Sequence, residues 1–150
     1  MKAIINLDKI KYPDVVAAKN GADVLENGAF VALGGLVADR LGMDCYKIEK
    51  LTEGCELGFV ADVSLMYDET KDERDFELVA DAVTRVYRAK KGQGITIAKK
   101  HVSGTVAVGD KLGVKASSYQ LQKASTGVAV AKVLEVYNWE GQDSYYIEFI

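Results

Sequence analysis

Apolar and polar positions alternate along most of the chain in short runs, and Gly or small polar clusters break the runs apart. A period of two is the mark of strands with one buried face, and Gly supplies the positive φ that tight turns require. Runs of this kind lie at 29–33, 46–51, 57–63, 84–88, 95–97, 111–114, 119–124, 128–133 and 144–150. The last is aromatic and β-branched to its end, which predicts a strand docked into a sheet.

Two stretches share one pattern. Tyr46-Lys47-Ile48-Glu49-Lys50-Leu51 enters a Thr52-Glu53-Gly54 turn and returns through Leu57 to Val63. Tyr119-Gln120-Leu121-Gln122-Lys123-Ala124 enters Ser125-Thr126-Gly127 and returns through Val128 to Val133. Each is preceded by a Gly turn and a short strand, at Gly28 and 29–33 in one case and at Gly109 and 110–114 in the other. The pattern predicts two related β-units, each with a strand–turn–strand hairpin, packed as a small barrel or sandwich.

One segment departs from this period. A charge run at 68–75 leads into Phe76, Val79, Ala80 and Val83, spaced i, i+3, i+4 and i+7. That is an amphipathic stripe, and it predicts one short helix around residues 70–80 with Asp68 or Thr70 as its cap. The fold expected is mainly β, in a single domain spanning 1–150. Residues 1–20, less regular, are expected to form an edge strand or an N-terminal arm that orders on a partner.

Composition narrows the function classes. Hydrophobic residues make up 49% of the chain and charged ones 27%, which is globular rather than disordered usage. A net charge of −3 disfavours nucleic acid as a partner, although Lys90–Lys91 and Lys99–Lys100 form basic pairs. No run approaches the roughly 20 apolar residues of a membrane helix, so no membrane association is expected. The N-terminus is too short and too charged for a signal peptide, which predicts synthesis and maturation in the cytosol. Cys45 and Cys55, spaced C-x9-C with His101 far away, read as reduced structural residues and not as metal ligands.

A search for chemistry leaves little. His101 adjoins Ser103 without a nucleophile-elbow motif, and is expected to be a surface or half-buried structural residue. The carboxylates at 68–75 read as a solvated helix face, since acid–base work needs burial to shift a pKa. Gly92-x-Gly94 lacks the third glycine of a dinucleotide loop, and Gly34-Gly35 lacks a P-loop lysine, so both predict turns. Length and strand content suit a trimeric dUTP hydrolase, but its Asp-Tyr motif and Gly-rich C-terminal arm are missing. Trp139, in the sequence Tyr137-Asn138-Trp139-Glu140-Gly141, predicts a hairpin end where an aromatic either packs or binds a ligand such as a sugar. No catalytic, cofactor or metal residue is assigned, and a non-enzymatic protein is expected.

A string of short motifs then resembles a known family. It runs Val63-Ser64-Leu65-Met66-Tyr67-Asp68-Glu69, Asp75-Phe76, Arg85 to Arg88, Lys91-Gly92 and Ile95-Thr96-Ile97. It continues with Val108-Gly109-Asp110 and a closing segment from Gly127 to Val133. Across roughly 56–150 the chain resembles head-decoration, or capsid-stabilising, proteins of tailed phages and prophages. The resemblance implies a β-domain without catalytic residues, located on the capsid surface of a virion. Its implied partners are the major capsid protein and further copies of itself, with a trimer the expected homo-oligomer. The resemblance also admits a tail or head-completion component, and the residues themselves leave a third reading, a small-ligand or carbohydrate-binding β-barrel using Trp139 and neighbouring tyrosines.

Overall fold

The structure is a computed structural model that describes residues 3–38, 44–62, 76–125 and 127–150. Strands β1 (Val15–Lys19), β2 (Phe30–Leu36), β3 (Tyr46–Glu49), β4 (Leu57–Val60) and β5 (Val83–Arg88) close into a barrel in the order β1-β3-β2-β4-β5. Its interior holds Ala18, Val31, Leu33, Ile48, Val60 and Val86, the inward residues of alternating strands. The remaining strands are β6 (Gly94–Ala98), β7 (Val102–Ser103), β8 (Lys111–Val114), β9 (Leu121–Lys123), β10 (Ala131–Trp139) and β11 (Gln142–Phe149). They form a second sheet ordered β6-β11-β10-β8-β9-β7. A single 3-10 turn, Lys99–His101, joins β6 to β7, so one length of chain supplies both outer strands of this sheet.

The two sheets repeat one plan, with β6 and β7 of the second together taking the place that β1 holds in the first. Each has an inner strand, β2 or β8, flanked by the two strands that follow it in sequence. The registers agree as well. Phe30 faces Phe59 and Val31 faces Gly58 in the first unit; Lys111 faces Lys132 and Leu112 faces Ala131 in the second. Leu33 with Ile48 corresponds to Val114 with Leu121, and Val60 with Val86 corresponds to Val133 with Ile147. Loops follow suit: the amides of Gly28 and Gly109, both at φ 92°, donate to the carbonyls of Val60 and Val133, each at 2.8 Å. The amides of Arg88 and Phe149 donate to Asp14 and Gln93, each at 2.9 Å. The sequence pattern at Tyr46 and Tyr119 is therefore part of a repeat that spans 14–89 and 93–150.

Four expectations change. The arms of each Gly turn do not pair with each other: β3 and β4 flank β2, as β9 and β10 flank β8. Parity selects the face that a strand buries but not its neighbour, and the earlier strand takes the place between the arms. Within the described part of the expected helix, Leu78 bridges Leu25, Val79 is 54% exposed and Val83 opens β5, so 76–82 is a bridge and turn; residues 70–75 lie outside the described residues. Gly34 and Gly35 lie within β2, where the register with β3 shifts, and not in a turn. A Cβ on Gly34 would meet the Glu49 carboxylate at 2.5 Å.

The fourth concerns the N-terminus. Val15–Lys19 is β1, a barrel strand. Residues 3–10 form a strap along the second unit: Ala3 and Ile4 are buried, and Ile5, Leu7 and Ile10 pack on its core. Asn6 exchanges two backbone hydrogen bonds with Thr96, and the Gln142 side chain holds both the amide and the carbonyl of Ile4.

One core joins the units. Phe30 and Phe59, on the outer side of the first barrel, share a cluster with Ile95, Ile97, Leu112, Val133 and Phe149 from the second. Phe59 stacks between Tyr87 at 5.6 Å and Phe149 at 5.7 Å, and Phe30 meets Phe149 edge-on.

Candidate functional site

His101 is buried, deeper than the sequence suggests, because the 3-10 turn lays it over Gly28 at the seam between the units. Its Nε2 lies 2.9 Å from the Asn27 carbonyl. Burial pulls its pKa down to about 4, against that hydrogen bond and with the help of the neighbouring Lys100 charge. A neutral imidazole held on a backbone carbonyl closes the seam. Beside it, burial would raise the pKa of Glu26, yet its Lys100 partner and the Ala3 amide outweigh burial and lower it.

The other sequence candidates are dispersed. Cys45 is buried and Cys55 half-buried, both as free thiols. Gly92 forms the φ 88° turn between the units, and Gly94 opens β6. Among the basic pairs, Lys90 meets Asp14 at 3.4 Å, Lys100 meets Glu26, and Lys99 lies 5.5 Å from the Tyr145 ring centroid. Among the described residues, no three His, Cys, Asp or Glu side chains form a group able to hold a metal ion, and no helix is long and apolar enough to cross a membrane. The carboxylates at 68–75 lie outside the described residues.

Trp139 does end a hairpin. It faces Gln142 across a two-residue turn whose Glu140 and Gly141 both have positive φ, at 49° and 84°. The pairings of Tyr137 with Ser144 and Glu135 with Tyr146 place Glu135, Tyr137, Trp139 and Tyr146 on one face of β10–β11. Thr96 on β6 faces Tyr146 and extends that face across a third strand. Thr96 Oγ1 lies 2.8 Å from the Tyr137 hydroxyl, which fixes that ring. Tyr146 lies against Gly94, where a Cβ would come within 2.7 Å of its hydroxyl.

The N-terminal strap walls this face. Between them lies a cleft of about 200 Å³ lined by Asn6, Asp8, Lys9, Thr96, Glu135, Tyr137 and Tyr146. Its wall is set in place: Asn6 Oδ1 accepts from the Asp8 amide at 2.8 Å, beside the double bond to Thr96. Aromatic rings, two carboxylates, an amide, a hydroxyl and an ammonium thus meet on a preformed surface. A larger opening of about 370 Å³ lies at the junction of the units, beside Arg88 and Lys90, whose charges Asp14 and Glu56 already meet.

Sequence reasoning found Trp139 and its neighbouring tyrosines but missed Asn6, Asp8 and Lys9. Those three come from the strap, whose irregular pattern gives no register. Set against known proteins, the chain matches no family model and no curated protein.

Proposed function

We propose that the chain is a non-enzymatic virion protein that docks on the outside of an assembled phage head and stabilises it. The motifs running from Val63 to Val133 support this reading through their resemblance to head-decoration proteins. The observation that carries it further is an apolar knob on a rigid base. Val24 and Val79 flank the Leu25–Leu78 bridge and are 58% and 54% exposed. The buried Asn20 amide fixes the base, donating to the carbonyls of Asp23, Leu78 and Val79. Exposed valines on an anchored loop suit a shape-complementary protein contact with little rearrangement on binding. The partner is the major capsid protein, and the docked form is a homo-oligomer, a trimer at the shell's threefold sites. Repetition over a lattice turns modest single contacts into stable attachment.

Co-sedimentation with assembled shells, followed by quantitative mass spectrometry, tests this. The expected result is a copy number comparable to that of the major capsid protein, reduced in a Val24→Asp, Val79→Asp double variant. A few copies per particle would move the reading to a tail or head-completion part. Absence from the pellet would end it.

A further inference from the structure

We propose that the cleft between the N-terminal strap and the outer face of β10–β11 binds a pyranose sugar. Three features lead there independently of shell docking. The volume, about 200 Å³, lies below that of clefts for drug-sized ligands and suits a ligand no larger than about one sugar ring. The groups are those a sugar needs: the aromatic side chains of Tyr137 and Tyr146 for its apolar side, and acceptors and donors from Asp8, Glu135, Asn6 and Lys9 for its hydroxyls.

The third feature is rigidity. Tyr137 is tied to Thr96, Tyr146 is seated on Gly94, and the strap is pinned by Asn6 and by Gln142. A site held in place before binding spends little on ordering, which a small polar ligand cannot offset. Both signs of charge are present, so neither a simple anion nor a simple cation is favoured over a neutral polyol. Trp139 stands two residues beyond Tyr137 on the same face, roughly 7 Å along the strand. It is a platform for the next ring of a chain.

Nitrogen-15 NMR titration tests the assignment with the methyl β-glycosides of glucose, galactose, mannose and N-acetylglucosamine. At least one is expected to give saturable shifts confined to the backbone around Asn6, Asp8, Thr96, Glu135, Tyr137 and Tyr146, with a Kd of order 1 mM. Gly94→Ala, which displaces the Tyr146 ring, and Tyr146→Ala should each weaken binding about tenfold or more; Val136→Ala, on the opposite face, should not. Repeating the titration with the β-1,4-linked trisaccharide of the best sugar separates two sources. Tighter binding with a change in Trp139 fluorescence assigns the site to a polysaccharide, and equal affinity assigns it to a free monosaccharide. Silence from all four glycosides, or shifts that persist unchanged in Tyr146→Ala, overturns the proposal and leaves shell docking unaffected.

Discussion

On the outer side of the first barrel, β2, β4 and β5 carry Phe30, Phe59 and Tyr87; at the same register positions β8, β10 and β11 carry Lys111, Lys132 and Glu148. The inward positions show no such split. Val31, Ile48, Val60 and Val86 answer to Leu112, Leu121, Val133 and Ile147, all buried aliphatics. Interior parity therefore fixes the shared backbone plan, because a slip of one residue would expose every inward side chain. The outer face is free to differ, and it does so according to what covers it. The second unit lies over the first unit's aromatic side, while on the second unit's own outer side Lys111 and Lys132 are exposed and the N-terminal strap covers the part around Thr96 and Gln142.

The sharpest way to break this comparison is to truncate equivalent outer residues. Phe59→Ala removes a fully buried ring between two others and should cost about 3–5 kcal/mol, whereas Lys132→Ala should stay within about 0.5 kcal/mol. Urea unfolding measures both, and similar losses would contradict the assignment of the seam. Next is pH. His101 titrates near 4 when folded and near its ordinary 6.5 when unfolded, so its stabilising share is complete above 6.5 and fades as pH falls towards 4. About 3 kcal/mol should be lost across that window, and His101→Gln should flatten the profile.

The paired turn glycines sharpen the contrast. Gly28 and Gly109 share φ 92°, which costs an alanine about 1–2 kcal/mol at either site. A Cβ at Gly28 would also come 2.9 Å from His101 Cδ2, while nothing lies within 4 Å at Gly109. Gly28→Ala should thus destabilise more than Gly109→Ala, and equal melting shifts would count against a tight seam. The smallest effect belongs to the strap. Gln142→Ala leaves the Ile4 amide and carbonyl unpaired, costing about 1–2 kcal/mol and accelerating hydrogen exchange at Ile4 and Asn6 ahead of the strands of either unit.

Much of the plan could be read from residue order. Val and Ile alternation placed most strands, and the recurrences of Gly28 in Gly109 and Tyr46 in Tyr119 marked the repeat. Strand neighbours could not be read, since period-two patterning is silent on which strand lies beside which. The stripe at Phe76, Val79, Ala80 and Val83 matched a helical period, but Leu78 lies off that stripe and is the one that buries, through its bridge to Leu25. Of the cleft beside the strap, the tyrosine side was visible as hairpin sequence. The Asp8 side depends on where the strap docks, which tertiary packing alone decides.

Lys111, Lys132 and Glu148 have a consequence for growth. A β-unit that lays its outer side on a unit of the same plan uses two different surfaces, and contacts of that kind can propagate without end, into fibres or long arrays. Here the second sheet presents three charged side chains where the first barrel presents three rings, so a third unit seated the same way would have to bury them, at a desolvation cost that the cross-strand pair of Lys132 and Glu148 offsets only in part. The series ends at two, and the molecule carries its own stop against polymerising through the contact that holds it together.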